Sequence, residues 1–194
     1  MAVVTPRTRL TAAMAMRYRR RSRLDPRIEI RGSVIEGRGM FATARIPAGQ
    51  VVIEWGGVVM GLEGVLSGKA RPLSVVQIND GRFLVDPVDG PAQPDEYMNH
   101  SCDSNLWMSS DVTLSTRRDI EPGEELTCDY ALFRNTHWIS DPDFRMTCRC
   151  GVEGCRGLVT GEDHLIAEVR SAYQGGFAPY LLNDAVLVPV HAVA

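Results

Sequence analysis

Short alternations of apolar and polar residues run along the chain from Arg27 onward. Ile28 and Ile30 alternate with charged residues, and residues 111–118 alternate in the same way, which is typical of half-buried strands. Residues 50–55 form an apolar, β-branched run that predicts another strand. Because these runs are short and turn residues separate them, the pattern predicts a mostly β fold of several small sheets.

Turn residues mark the connections between the predicted strands. Residues 46–49 (Ile-Pro-Ala-Gly) and 120–123 (Ile-Glu-Pro-Gly) share one type of turn, and each precedes a short strand. Asp80-Gly81 separates the apolar runs 75–78 and 82–85, which predicts a hairpin.

Helical signals are fewer and shorter. Residues 62–66 predict a loop or a short helix, and residues 162–173 have the apolar spacing of a helix that Gly175 and Gly176 end. The apolar tail 184–194 lacks a period and is expected to be loose. No run of about 18 apolar residues occurs, so no membrane span is expected.

Charge divides the chain into a basic start and an acidic body. Residues 1–31 carry nine Arg against two acidic residues, a net of +7, and the remainder carries 12 basic against 22 acidic residues, a net of -10. Five Arg between positions 17 and 23 repel each other, so residues 1–26 are interpreted as a basic flexible arm. Contact of the arm with nucleic acid is the less favoured alternative. The acidic body suits a basic partner, although plain solubility explains it equally well.

Three late cysteines favour a metal site. Cys148, Cys150 and Cys155 share one short loop, and a disulfide between residues only two apart would be strained. Structural zinc sites use four ligands and often thiolates, so a fourth ligand must come from elsewhere in the chain. The spacing leaves four candidates: Cys102, Cys128, His137 and His164. Five cysteines without an apolar signal segment predict an intracellular, reducing compartment, with cytoplasm or nucleus undecided.

Two further stretches are ambiguous on their own. Residues 97–102 (Tyr-Met-Asn-His-Ser-Cys) crowd polar groups without an apolar period, which fits either a polar loop around a buried cysteine or a ligand site. Gly37 and Gly39 flank Arg38 and by themselves indicate only a tight turn, because the third glycine of a dinucleotide fingerprint is missing.

Taken together and in order, these motifs resemble the SET-domain protein-lysine methyltransferases that carry a post-SET zinc segment. The resemblance covers about residues 27–158. The motifs are Gly37-Arg38-Gly39, Asn99-His100-Ser101-Cys102, Leu126-Thr127-Cys128-Asp129-Tyr130 and Cys148-x-Cys150-x4-Cys155. The family fold is mostly β, with several small sheets, short helices and a knot-like C-terminal threading, so the resemblance implies that architecture here.

The resemblance also implies site residues and two bound groups. Tyr130 matches the catalytic tyrosine, and Cys102 matches the fourth zinc ligand beside Cys148, Cys150 and Cys155. Cys128 and Phe133 are expected at the substrate pocket. The residues expected to bind the cofactor S-adenosyl-L-methionine are Gly37, Arg38, Gly39, Tyr97, Asn99, His100 and Leu158.

Two departures from the family pattern stand out. Glu96-Tyr97 replaces the Arg-Phe that family members often have at this place. Cys128 replaces the aromatic residue found two positions before the catalytic tyrosine, and its smaller side chain predicts room for higher methylation states.

These observations predict an enzyme that methylates a lysine of a basic protein or peptide. The alternative is a non-catalytic, zinc-stabilised module that binds basic peptides. The expected organisation is a basic arm (1–26), a SET domain (27–136), a post-SET zinc segment (137–160) and a C-terminal helix and tail (161–194).

Overall fold

The computed structural model describes residues 17–71, 74–79, 81–134 and 144–183. Three short helices are present in these ranges, namely α1 (Leu62–Leu66), α2 (Ala167–Ala172) and α3 (Pro179–Asn183). The strands are β1 (Arg23–Leu24), β2 (Ile28–Gly32), β3 (Arg38–Ala42), β4 (Val51–Glu54), β5 (Val58–Gly61), β6 (Val76–Asn79), β7 (Arg82–Val85), β8 (Asn99–His100), β9 (Leu106–Met108), β10 (Thr113–Thr116), β11 (Glu125–Cys128), β12 (Arg145–Thr147) and β13 (Leu158–Thr160). The predicted mostly β fold is confirmed; the knot-like threading stays a prediction.

The largest sheet brings distant motifs together. Its strands follow the order β1-β4-β10-β9-β11-β3-β2, and β8 also pairs with β11. Strands β8 and β11 run parallel, so that Asn99 lies opposite Thr127 and His100 lies opposite Cys128. This pairing puts the Asn-His motif beside the strand that leads directly into Tyr130.

Two smaller sheets complete the β structure. Strands β5, β7 and β6 form an antiparallel sheet, and β12 pairs with β13. The hairpin predicted from Asp80-Gly81 is present as β6–β7, where Gly81 takes a φ of 65° that favours glycine. The ambiguous stretch 62–66 is helix α1, which packs on β5.

The two similar turns of the sequence meet in space. Ile46 and Ile120 form an isolated antiparallel bridge with two N–H···O bonds of 2.9 Å. Gly49 and Gly123 hold positive φ values of 77° and 85°, as the turn type requires. The bridge fixes the start of β4 relative to the start of β11.

The C-terminal segment is part of the main core. Tyr173, Phe177, Tyr180 and Leu181 are buried there with side chains of the large sheet such as Leu126. The predicted loose tail, residues 184–194, lies outside the described residues.

The ordered chain begins earlier than the sequence analysis expected. Strand β1 (Arg23–Leu24) pairs with β4, and Tyr18 Oη donates a hydrogen bond of 2.6 Å to Asp111. Arg19 Nε lies 2.7 Å from Glu54 Oε2. Because these residues find strand and acidic partners on the sheet, residues 17–26 are structured, which corrects the expectation of order from Arg27. Residues 1–16 of the predicted arm are outside the described part.

The helix predicted over residues 162–173 is interrupted. Asp163–Leu165 form a 3₁₀ turn, Ile166 is extended with ψ 126°, and α2 follows. Asp163 Oδ1 accepts hydrogen bonds from the Thr160 backbone and hydroxyl, at 3.1 and 2.7 Å. These contacts hold the first turn apart from α2. Within the described residues, no helix is long and apolar enough to cross a membrane.

Candidate functional site: a cavity beside a cysteine cluster

Tyr130 sits in a 3₁₀ turn directly after β11. Asp129 caps the turn, because its Oδ1 accepts the Ala131 N–H at 3.0 Å and its carbonyl accepts the Leu132 N–H at 3.0 Å. The Tyr130 hydroxyl donates to the Met98 carbonyl at 2.8 Å. Burial raises the pKa of Tyr130 to about 12, so the phenol keeps its proton at neutral pH.

Asn99 fastens the Gly-x-Gly turn to β11. Its Nδ2 lies 3.2 Å from the Glu36 carbonyl, 3.1 Å from the Arg38 carbonyl and 2.7 Å from Glu125 Oε1. A Cβ on Gly39 would lie 2.0 Å from Glu125 Oε1, so this position has room only for glycine unless Glu125 moves. The second glycine of the motif is therefore explained by close packing.

Tyr130 lies on the wall of two neighbouring cavities. The larger has a volume of about 480 Å³, and the smaller about 200 Å³. Glu36, Asn99, Tyr130 and Met146 line both. A volume of this size is within the range of small-molecule sites. The remaining predicted residues on the larger wall are Gly37, Arg38, Tyr97 and Phe133.

His100 links the smaller cavity to the cysteine cluster. Its Nδ1 accepts the Tyr130 N–H at 3.2 Å, so the ring proton is on Nε2, which lies 3.4 Å from Cys102 Sγ. Burial lowers the pKa of His100 to about 4, even though the Asp129 carboxylate 3.7 Å away opposes that shift. The imidazole is neutral and joins the turn that carries Tyr130 to the cluster.

Four of the five cysteines form the cluster. The sulfur atoms of Cys102, Cys148, Cys150 and Cys155 all lie within 4.8 Å of one another, and Cys102 Sγ is 3.8 Å from Cys148 Sγ. Zinc–sulfur bonds of about 2.3 Å in a tetrahedron place sulfurs about 3.8 Å apart. The donor set therefore fits a structural zinc ion.

Backbone N–H groups also point at the sulfurs. Those of Arg156 and Gly157 lie 3.4 Å from the sulfurs of Cys102 and Cys155. Burial would raise the pKa of Cys150, but hydrogen bonds, first those from the backbone N–H groups of Cys102 and Val152, outweigh it and lower that pKa to about 7. At Cys102 burial outweighs the Arg156 N–H and raises the pKa to about 11. Such donors stabilise thiolates, the form that binds metal.

The structure decides among most of the candidates for the fourth ligand. Cys102 joins the three late cysteines, as the resemblance implied. Cys128 is fully buried in the main core, and His164 is buried with Nδ1 2.9 Å from the Gly161 carbonyl. His137 lies outside the described residues.

Three residues predicted for the cofactor and substrate sites do not line either cavity, namely Gly39, Cys128 and Leu158. Cys128 has no exposed surface, and Leu158 is 43% exposed on β13. Met146 and Thr147, on the partner strand β12, line the smaller cavity. Cys128 lies in the main core and lines neither cavity, and the higher methylation expected from its small side chain stays a prediction.

Three contacts at the site were missed by the sequence analysis. Glu36 lines both cavities, Glu125 holds Asn99, and Arg156 binds Asp129. Asp129 stands next to Tyr130 within a recognised motif and Glu125 directly precedes that motif, so these positions were the available signal. Arg156 directly follows a predicted metal ligand, which was the only local hint of its place.

Known proteins resemble this chain in sequence. The family described as "SET domain" matches residues 37–131. Human histone-lysine N-methyltransferase 2B is 29% identical over 163 residues, which cover 77% of this chain and 6% of that protein. Histone-lysine N-methyltransferase, H3 lysine-4 specific, from Emericella nidulans is 30% identical over 139 residues, covering 66% of this chain and 11% of that protein. The chain thus spans only a small part of the relatives it matches.

Solved structures share the fold. The methyltransferase domain of human histone-lysine N-methyltransferase SETMAR has a TM-score of 0.54 at 23% identity, over 69% of this chain and 57% of that one. KRYPTONITE, solved in complex with mCHG DNA and SAH, has a TM-score of 0.51 at 25% identity, over 68% of this chain and 28% of that one. With the ordered motifs and the site geometry, these likenesses lead to one conclusion: residues 37–131 of the chain are a SET domain.

Proposed function

We propose that the protein transfers a methyl group from S-adenosyl-L-methionine to a lysine side chain of a protein. The observation that carries the proposal is the position of Tyr130, on a wall shared by two cavities that Asn99 and Glu36 also line. The SET-domain relatives, named as histone-lysine methyltransferases, support the same reaction class.

The residues around the cavities fit the methyl donor. Gly37 and Arg38 present backbone and a guanidinium at the larger cavity, and Arg38 stacks over the Tyr97 ring with 4.7 Å between Cζ and the ring centroid. Asn99 and His100 face the smaller cavity. We assign these residues to the cofactor, which supplies a methyl group on a positively charged sulfur. A guanidinium suits the carboxylate of the donor.

Aromatic side chains can desolvate the lysine. Trp55 and Phe133 meet edge to face at 5.1 Å between ring centroids, and Phe133 and Tyr130 meet at 5.5 Å. All three line the larger cavity. An apolar wall disfavours the ammonium form and lowers the lysine pKa, which yields the neutral amine that a methyl transfer requires.

The protonated Tyr130 phenol has a positioning role in this proposal. Because its proton is donated to the Met98 carbonyl, its oxygen is held at the cavity wall with lone pairs free to accept from an amine N–H. Orientation of the two reactants contributes most to an in-line displacement.

A basic, lysine-containing protein fits the acidic body. Glu36, Asp95 and Glu96 line the larger cavity, and carboxylates attract a cationic peptide segment. Arg17 and Arg19, at the start of the described chain, pair with Asp111 and Glu54 of the same molecule, which favours a structural role over nucleic-acid contact there. We place the protein in an intracellular, reducing compartment, where the free cysteines stay available for metal.

Replacing Tyr130 with Phe tests the proposal. We expect Tyr130→Phe to keep its affinity for S-adenosyl-L-methionine, measured by isothermal titration, because the ring remains in place. Transfer of a tritiated methyl group to a cell lysate should fall at least about tenfold. Tyr18→Phe, which also removes one phenolic hydroxyl but at a residue that lines neither cavity, should transfer normally.

Two results would oppose the proposal in different ways. Full transfer by Tyr130→Phe would remove Tyr130 from the mechanism. An unaltered protein that binds no S-adenosyl-L-methionine at millimolar concentration would favour the non-catalytic peptide-binding module.

A further inference from the structure

Arg156 connects the cysteine cluster to the turn that carries Tyr130. Its guanidinium grips the Asp129 carboxylate with two hydrogen bonds, Nη1 to Oδ2 at 2.7 Å and Nη2 to Oδ1 at 2.8 Å. Its Nε donates to Asp163 Oδ2 at 2.8 Å. The side chains of Asp129 and Asp163 are 0% and 5% exposed, and that of Arg156 is 15% exposed. One cation therefore bridges two buried carboxylates.

The backbone of Arg156 is held by the cluster itself. Its N–H points at Cys102 Sγ from 3.4 Å, and Cys155 precedes it in the chain. The position of the guanidinium thus depends on the loop that the four sulfurs gather.

Asp129, the partner of Arg156, shapes the turn that carries Tyr130. The same Oδ1 of Asp129 that accepts from Arg156 also accepts from the Ala131 N–H at 3.0 Å. Ala131 follows Tyr130 directly, and the Tyr130 N–H is in turn held by His100. A shift of the carboxylate would therefore rotate the turn and move the phenol away from the Met98 carbonyl.

We propose that Arg156 is a positioning residue for the reaction: through Asp129 it transmits the order of the cysteine cluster to the Tyr130 phenol. The fork of a guanidinium matters here, because two parallel hydrogen bonds fix the orientation of a carboxylate and an ammonium group cannot reproduce them. This inference rests on the proposed function for its kinetic consequence, but the placement of Tyr130 can be measured independently.

The test compares Arg156→Lys with Arg45→Lys in the full chain. Arg45 pairs with Asp119 on an exposed turn, so its replacement is a matched control. Tyrosines are labelled as 3-fluorotyrosine, and the resonance of Tyr130 is assigned by its loss in Tyr130→Phe. Four quantities are measured: zinc per chain, affinity for S-adenosyl-L-methionine, the fluorine resonance of Tyr130, and kcat and KM for methyl transfer.

We expect Arg156→Lys to keep one zinc per chain and to lose little cofactor affinity. Its Tyr130 resonance should shift or broaden, and kcat should fall about tenfold or more while KM changes little, since the phenol rather than peptide binding is affected. Arg45→Lys should match the unaltered protein in all four measurements.

An unchanged Tyr130 resonance and unchanged kcat in a folded, zinc-loaded Arg156→Lys variant would overturn the inference. If that variant does not fold, Asp129→Asn decides, because it keeps the shape of the cap but weakens the grip of the guanidinium. If neither Arg156→Lys nor Asp129→Asn folds, the inference is also overturned, because the Arg156–Asp129 pair would then be required for folding. Absence of any transfer by the unaltered protein would instead refute the proposed function, and the fluorine resonance would still report on the bridge.

Discussion

At the scale of single residues, the site depends on a few side chains with several partners each. Asn99 donates toward two carbonyl oxygens and one carboxylate, and Tyr130 is held by its hydroxyl and by its backbone N–H. Because each group has a fixed partner, the cavity wall is rigid before any ligand arrives. Preorganisation of this kind lowers the ordering that binding would otherwise require.

Gly39→Ala should weaken cofactor binding. The added methyl group would lie 2.0 Å from Glu125 Oε1 and 3.1 Å from Asn99 Nδ2, so the Glu125 carboxylate must shift, and we expect its hydrogen bond to Asn99 to be lost. A hydrogen bond to a charged group contributes about 1.5–3 kcal/mol, which predicts at least about tenfold weaker binding of S-adenosyl-L-methionine by isothermal titration. Gly32→Ala is the control, because nothing lies within 4 Å of its Cβ. Equal affinities in the two variants would contradict the packing argument.

Asp95→Asn should stabilise the protein in a pH-dependent way. Burial raises the pKa of Asp95 to about 6, above its value in the unfolded chain. The protonated form is favoured in the folded state, so stability is lost as pH rises from about 4 through 6. The amide of Asp95→Asn does not ionise and so removes that loss. Thermal unfolding at pH 8 should show a free energy of unfolding about 1–3 kcal/mol higher than that of the unaltered protein, and the difference should disappear at pH 4. The exposed Asp89→Asn should show no such trend, and a gain independent of pH would rule out this cause.

At the scale of elements, short segments from distant parts of the chain support one another. Strand β8 lies parallel to β11, and the C-terminal segment covers the end of the Tyr130 turn through the bond from the Ala178 N–H to the Leu132 carbonyl at 2.7 Å. The SET-domain match ends at residue 131, so this support comes from chain beyond the matched region.

Tyr180→Phe should loosen the wall of the larger cavity. The Tyr180 hydroxyl donates to the Phe133 carbonyl at 2.7 Å, and both residues are buried. Loss of the donor leaves the carbonyl without that partner, which costs about 1–3 kcal/mol of stability in urea unfolding. Leu182→Ala, on the same helix α3 but 46% exposed, should change stability by less than about 0.5 kcal/mol. A smaller loss for Tyr180→Phe than for Leu182→Ala would contradict this role.

Local sequence signals predicted the individual elements better than the long-range contacts between them. Gly81 and the two turns that contain Pro and end in Gly, 46–49 and 120–123, were predicted correctly, because φ preferences act within a few residues. The bridge from Ile46 to Ile120 and the grip of Arg156 on Asp129 join positions that no local period connects. The helix predicted over 162–173 was wrong in its middle, because hydrogen bonds of the Asp163 side chain to nearby Thr160 overrode the apolar spacing.

The candidate site could be predicted to the extent that its residues belong to recognisable motifs. Cys102 was found through the motif, and the geometry agrees with it. Cys128 belongs to the same kind of motif but is buried in the main core and lines neither cavity. A strand alternates its faces, and sequence alone does not show which face reaches the cavity.

At the scale of the whole molecule, the cysteine cluster joins the central motif to the C-terminal part. Cys102 comes from the loop after β8, and the other three sulfurs come from the segment between β12 and β13. Zinc binding at such a site contributes on the order of 10 kcal/mol, comparable to the stability of a whole domain. The ion would therefore hold the smaller cavity together as well as the fold.

The central claim is that four cysteines bind one zinc ion beside a methyl-donor cavity that Tyr130 lines. The most direct test is diffraction at the zinc absorption edge from crystals grown with S-adenosyl-L-homocysteine. We predict one anomalous peak within about 2.3 Å of the sulfurs of Cys102, Cys148, Cys150 and Cys155, and ligand density between Gly37 and Tyr130. A crystal with no zinc peak at these sulfurs, or with the ligand bound elsewhere, would contradict the account.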